Sequence, residues 1–220
     1  MASLSVVNAG DRPMVAFVRP YVNNNCSVLD LGCGDCSFVT NFPLLNKKLY
    51  CGIDKDKKKC VIARKKGYFT LCKNIDKYRK NVLNGTYDII VAKDIIEHCN
   101  NPELFVKFMY AHLKKKGDLF ISVPSELSLL IWDDYTHKRG FSKQAIQQIL
   151  RHNGFSVIHF AKDHSLINIS NCPLRYIILW IFYKLTSMDF ITQCYLVHAK
   201  KTETDVHSCF DKDNLQSQSL

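Results

Sequence analysis

Several things are missing from this 220-residue sequence, and each absence narrows its reading. The N-terminus, MASLSVVNAGDRPMVAF, has no basic segment followed by a long apolar one, so no signal peptide is expected. The fully apolar stretch Tyr176 to Tyr183 is far shorter than the roughly 20 residues of a membrane-spanning helix. No internal repeat is visible. Cys33 and Cys36 form a C-x-x-C pair, but no second such pair exists, and the neighbours His98 and Cys99 do not complete a four-ligand zinc set. No metal is therefore expected. Acids are also scarce: 20 Asp and Glu face 30 Lys and Arg, for a formal net charge of +10.

What is present fits one globular domain with ample apolar material for a core, because hydrophobic residues make up 47%. There are ten cysteines, and several, such as Cys51 and Cys72, sit inside apolar strand-like runs. With no export signal they read as free thiols in a reducing compartment, and the expected location is cytoplasmic. Much of the positive charge lies between positions 55 and 80, where eleven Lys and Arg are opposed only by Asp56 and Asp76. Such a region attracts RNA, anionic lipid or an acidic substrate, or is simply a solvated lysine surface. It lacks the interleaved aromatics of an RNA-recognition signature.

The chain alternates in character. Strand-like runs are SVLDL, KLYCGI, YFTLC, YDIIVA and GDLFISV. Helix-like segments separate them. RPMVAFVRPYV reads as a short amphipathic helix. KDKKKCVIARKKG ends at Gly67, and NPELFVKFMYAHLKKKG starts near Pro102 and closes on lysines and Gly117. This alternation argues for an α/β fold with a mostly parallel sheet covered on both faces. After Pro124 comes an irregular segment, SELSLLIWDDYTHKRGF, placed to cover a site. A helix SKQAIQQILRHNGF follows, with Ser142 as N-cap and Gly154 as stop. SVIHFAK and ITQCYLVHAK read as further strands. The apolar segment 173–188 between them suits a buried helix, a lid over the acceptor pocket or a peripheral membrane contact. The polar stretch 201–220 reads as a disordered tail.

The most informative stretch is SVLDLGCGDCSF, Ser27 to Phe38. A strand ending in a glycine turn lets a cofactor lie against bare backbone at Gly32 and Gly34. A dinucleotide fingerprint would put a third glycine at position 37, where Ser37 stands. Asp30, just before the glycines, suits a cationic amino-acid group better than a pyrophosphate. Asp54 ends the next strand, where an acid about 20 residues on accepts hydrogen bonds from ribose. An ammonium and a ribose together describe S-adenosylmethionine.

VLDLGCGDCSF, YCGIDKD, YDIIVAKDIIEHCNNP and LKKKGDLFISVPS together resemble the class I S-adenosylmethionine-dependent methyltransferases. They are most similar to the small-molecule branch with ubiquinone-biosynthesis-type enzymes (methyltransferase type 11). The resemblance covers roughly residues 12 to 200. It implies a Rossmann-like, seven-stranded, mostly parallel sheet with helices on both faces and an antiparallel last strand. The methyltransferase domain would span 1–200, with lid insertions at about 125–142 and 172–190.

By that resemblance Asp30, Gly32 and Gly34 line the methionine and ribose part of the cofactor, and Asp54 holds the ribose. Lys55 lies beside the adenine edge. Asn74 stands where relatives often carry an acid, and Ile75 packs on the base. Ala92, Lys93 and Asp94 border the cofactor at the end of strand four. Cys36 departs from the pattern, because relatives usually have glycine there. Candidate catalytic bases are His98, near the methyl group, and His137, facing the acceptor pocket, with Asp94, Asp133 and Asp134 in support. Arg139 either binds an acidic substrate group or pairs with Asp133 or Asp134. The implied activity is methyl transfer to a small-molecule or lipid-like acceptor. Transfer to RNA or tRNA through the basic region 55–80 is one alternative. An inactive, cofactor-binding regulatory protein is the other.

Overall fold

The computed structural model describes residues 12–74, 76, 83–128, 131–163, 181 and 192–202. Ile75, nearly all of segment 173–188 and the tail beyond Thr202 lie outside the described residues, so the expectations made for them do too.

Seven strands among the described residues form one sheet. They are β1 (Val28–Leu31), β2 (Tyr50–Asp54), β3 (Thr70–Cys72), β4 (Tyr87–Lys93), β5 (Leu113–Pro124), β6 (Phe155–Asp163) and β7 (Cys194–Lys201), in the order β3-β2-β1-β4-β5-β7-β6. The pairings from β3 through β5 are parallel, and β7 runs antiparallel to both β5 and β6. The expected Rossmann-like architecture is therefore the observed one.

Alternation along the central strands explains why β1, β4 and the second half of β5 are largely apolar. Successive side chains point to opposite faces, and here each face has a core. Leu29, Leu31, Ile90 and Ala92 join one cluster with Phe105, Met109, Ile146 and Leu150, which come from helices α3 (Pro102–His112) and α4 (Lys143–His152). Val28, Ile89 and Val91 join the other with Met14, Val15 and Val18 of helix α1 (Arg12–Val18) and Ala63 of helix α2 (Lys57–Lys65). Hydroxyl, amide and carboxylate side chains fix the helix starts. Asp56 accepts from Lys58 N and Lys59 N, Asn101 from Leu104 N, and Ser142 from Ala145 N.

One boundary differs from the sequence expectation. Helix α3 ends at His112 and does not run through the lysines to Gly117. Leu113 is fully buried and pairs with Tyr87, so the chain enters β5 at once. Lys114 reaches the Asp88 carboxylate at 2.8 Å, and Lys116 adopts a left-handed backbone, φ 61°.

The strand order sets the position of the site. From β1 the chain builds outward through β2 and β3, then returns to place β4 on the other side of β1. This reversal opens a crevice at the carboxyl ends of β1 and β4, where ligands bind in open α/β sheets.

Candidate active site

The turn after β1 is held tightly against β2. Gly32 N and Cys33 N both donate to the Ile53 carbonyl, at 2.8 and 3.1 Å. Gly32 and Gly34 have φ of 76° and 55°, which L side chains rarely adopt. A Cβ on Gly32 would lie 3.0 Å from Ile95 Cδ1, whereas nothing comes nearer than 3.8 Å at Gly34. Cys36 also has a left-handed backbone, φ 63°, which accounts for the glycine usual in similar proteins. Its thiol turns inward, 3.2 Å from the Tyr50 hydroxyl. Cys33 and Cys36 are buried free thiols that pack the loop from behind. Gly52 gives this packing its room, because a Cβ there would lie 2.6 Å from Cys33 Sγ.

Asp30 and Asp54 occupy different environments. Asp30 is buried beneath the turn, and Tyr50 donates its hydroxyl to the carboxylate at 2.9 Å. Burial is the main cause that pushes the Asp30 carboxyl up to about 7, against the opposing pull of the Tyr50 hydrogen bond and the Lys93 charge. Asp54 sits at the tip of β2. One oxygen accepts from Gly34 N and the other from Asp56 N, both at 2.8 Å. Each carboxylate oxygen retains further acceptor capacity. A bare glycine turn held to an ionisable acid on the next strand fits the ribose and methionine end of S-adenosylmethionine.

Beyond these tips lies a cavity of about 270 Å3, lined by Lys55, Asn74, Ile95, His98, Tyr135 and Thr136 among others. It brings the expected adenine-side residues Lys55 and Asn74 together with the candidate base His98. The Asn74 side-chain oxygen accepts from Asp76 N at 2.9 Å. At the end of β4, Ala92 is buried in the core, while Lys93 Nζ meets Asp94 at 2.8 Å. The second Asp94 oxygen accepts from the Ser122 hydroxyl.

The β4 strand is followed by a short 3-10 turn, Ile96–His98. Across it lies the segment after β5, tied down by Lys138 N donating to the Glu97 carbonyl at 3.1 Å. The segment brings His137 next to His98, with ring centroids 4.8 Å apart. Between them is Glu97, fully buried, with no hydrogen-bond partner on either carboxylate oxygen. Burial first, and the Asp94 charge second, push its carboxyl up to about 8. Burial likewise holds His98 below the usual histidine range. Of the supporting acids, Asp134 contacts this group, its carboxylate 3.9 Å from His137 Nε2. Arg139 Nη2 donates to the Asn100 carbonyl at 3.3 Å.

No role for Glu97 follows from the run YDIIVAKDIIEHCNNP, and none for Tyr50 or Thr136 from the sequence around them. The available signal was an acid directly before a histidine, and behind two isoleucines, in the turn that follows the largely apolar strand β4.

Comparison with known proteins supplies the family and the fold. A family model described as a methyltransferase domain matches residues 11–160. The chain is 29% identical over 154 residues to the mitochondrial ubiquinone biosynthesis O-methyltransferase of Rattus norvegicus, covering 59% of this chain and 44% of that protein. It is 26% identical over 110 residues to the corresponding protein of Dictyostelium discoideum, covering 44% and 34%. The chain thus spans less than half the length of the curated relatives it matches. Among solved structures, an S-adenosylmethionine-dependent methyltransferase from Mesorhizobium loti superposes with a TM-score of 0.67 at 14% identity, covering 88% of this chain and 98% of that one. The N-methyltransferase NodS from Bradyrhizobium japonicum, in complex with S-adenosyl-L-homocysteine, gives 0.62 at 13% identity over 88% and 86%. At such identities these structures speak for the fold. With the family match over most of the chain, the crevice at the carboxyl ends of β1 and β4 has its context: the chain belongs to the methyltransferase-domain family, on the class I S-adenosylmethionine-dependent fold.

Proposed function

We propose that the protein transfers a methyl group to an oxygen of a small-molecule or lipid-like acceptor. The observation that carries the reading is the continuity of the site. Asp54, tied to the glycine turn through Gly34 N, leads directly into Lys55, which lines the cavity with Asn74 and His98, and Ile95, packed beside Gly32, lines it too. The two curated relatives, both named as O-methyltransferases of ubiquinone biosynthesis, support an oxygen acceptor and a small substrate.

When bound, S-adenosylmethionine supplies an already activated methyl on a sulfonium, so the protein has to position the acceptor and exclude water. Gly32 and Gly34 offer close backbone approach to the methionine and ribose, and Asp54 offers acceptors to the ribose hydroxyls. Lys55 and Asn74 border the adenine side. His98, which lines the cavity, and His137, which the segment after β5 brings beside it, are the groups available to hold or remove an acceptor proton.

The test is incubation of the full chain with radiolabelled S-adenosylmethionine and separated metabolite, lipid and RNA fractions. Label is expected in a low-molecular-weight or lipid fraction, on a group that behaves as a methyl ether. Label in RNA, with binding that falls steeply as salt rises, would point instead to the basic region 55–80. Cofactor binding with no labelled fraction would indicate a regulatory protein.

A further inference from the structure

The C-x-x-C pair of the turn after β1, Cys33 and Cys36, has no part in the proposed methyl transfer, yet its two thiols meet. Cys36 N donates to the Cys33 carbonyl at 2.9 Å and closes a tight turn. Such a turn keeps its end Cα atoms within about 7 Å, and a disulfide spans about 4.4–6.8 Å. The side chains hydrogen-bond each other, sulfur to sulfur, and both are free thiols. Gly52 leaves the Cys33 sulfur its room on the side of β2.

A path for the thiol proton is also in place. Tyr50 donates its hydroxyl to Asp30 Oδ2 at 2.9 Å, and the same hydroxyl oxygen lies 3.2 Å from Cys36 Sγ. A hydroxyl that donates to a carboxylate still accepts from a thiol, so the buried Asp30 draws on Cys36 through Tyr50. The hydrogen bond from Cys33 is the main cause that holds the Cys36 thiol below its ordinary value, against the opposing effect of burial. Thiolates are the form that reacts with oxidants. Cys33 is 6% exposed and Cys36 is fully buried, so an oxidant about the size of water is the class that fits.

We propose that Cys33 and Cys36 are a site of reversible oxidation by hydrogen peroxide, and that the disulfide so formed weakens cofactor binding. One thiolate attacks a peroxide oxygen, the O–O bond breaks, and a sulfenic acid and one water result. The second thiolate attacks the sulfenic sulfur, the S–O bond breaks, and a second water leaves. Both sulfurs are oxidised, both peroxide oxygens are reduced, and the two thiol protons end on the two waters. An S–S bond of about 2.05 Å draws the sulfurs well inside hydrogen-bonding distance. Cys36 then leaves Tyr50, and the turn tightens around Gly34, whose N–H is tied to the Asp54 carboxylate at 2.8 Å. Because Asp54 is the acid assigned to the ribose, the effect on binding rests on the cofactor reading of this turn, whereas the disulfide itself does not.

The test treats the full chain with hydrogen peroxide, removes the excess with catalase and divides the sample. Mass spectrometry after alkylation and digestion should show a peptide two hydrogens lighter, with the bond placed between Cys33 and Cys36. Calorimetric titration with S-adenosylmethionine should show binding at least tenfold weaker than to the reduced chain, restored by dithiothreitol. Cys36→Gly removes one thiol and suits the left-handed backbone there, φ 63°. Whatever its own affinity, peroxide should leave it unchanged. If that variant fails to fold, Cys33→Ser takes its place. Cys33 and Cys36 that stay reduced would overturn the site, including the case in which the bond forms instead between Cys60 and Cys72, whose thiols also hydrogen-bond. A Cys33–Cys36 disulfide with unchanged affinity, or an equal loss in Cys36→Gly, would overturn its effect on the cofactor. A reduced wild type that binds no cofactor would strike the cofactor reading of the turn and that effect with it, while the mass measurement still decides the disulfide.

Discussion

Asp30 and Gly32 stand two positions apart and do different work. Asp30 is an acid under the turn, held by Tyr50 and destabilised as an anion chiefly by burial. Its folded pKa of about 7 lies above the ordinary value of 3.8. Folding therefore favours the protonated form: the associated stability is complete below the ordinary value and is lost as pH rises through the folded value. Asp30→Asn keeps an oxygen for the Tyr50 hydroxyl and removes the titration. Relative to the wild type, the variant should gain stability as pH rises from about 4 to about 7, then level off, in urea denaturation followed at several pH values. A constant difference across that range would contradict the burial of a titrating carboxyl. Gly32→Ala sets a Cβ against Ile95 in a left-handed backbone. A loss of about 1–2 kcal/mol is expected in the same assay, together with weaker cofactor binding. The sequence revealed Gly32 and Gly34 because a glycine turn leaves a composition signal. It revealed neither the burial of Asp30 nor its Tyr50 partner, since a partner on the next strand depends on register. Cys36 was legible as a departure from glycine, but its inward-turned thiol was not.

The elements were legible wherever local chemistry decides them. Asp56, Asn101 and Ser142 cap the helices they precede, and Gly67 and Gly154 adopt positive φ just past helices α2 and α4. Removing the Ser142 hydroxyl by Ser142→Ala leaves Ala145 N without its partner. A loss of about 1 kcal/mol is expected by chemical denaturation, and an unchanged midpoint would show that the cap contributes nothing. The start of β5 was not legible. Lysines followed by glycine favour a helix end near Gly117, yet Leu113 is drawn into the core and pairs with Tyr87. Tertiary burial overrides local preference there. The meeting of His98 with His137 was hidden for a related reason. It depends on the covering segment crossing the turn after β4, a contact between distant parts of the chain that no local pattern encodes.

At the scale of the whole molecule, two cores on opposite faces hold a sheet whose strand order reverses between β1 and β4. That reversal brings the glycine turn, Asp54 and the Glu97–His98 turn to one edge, so a single crevice can serve both cofactor and acceptor. No helix among the described residues is long and apolar enough to cross a membrane. The family match covers the chain from helix α1 into β6, and the curated relatives are more than twice as long as the part of them that this chain matches. The identity of the acceptor accordingly belongs to the experiment with labelled fractions. Cofactor binding itself is open to a direct measurement: calorimetric titration of the wild type and of Asp54→Ala with S-adenosylmethionine, with the fold of each checked by circular dichroism. The account predicts one molecule bound per wild-type chain and an affinity at least tenfold weaker in the variant, which loses the acceptor on the tip of β2 together with its tie to Gly34 N. No binding by the wild type, or equal affinity in a folded Asp54→Ala, would contradict it.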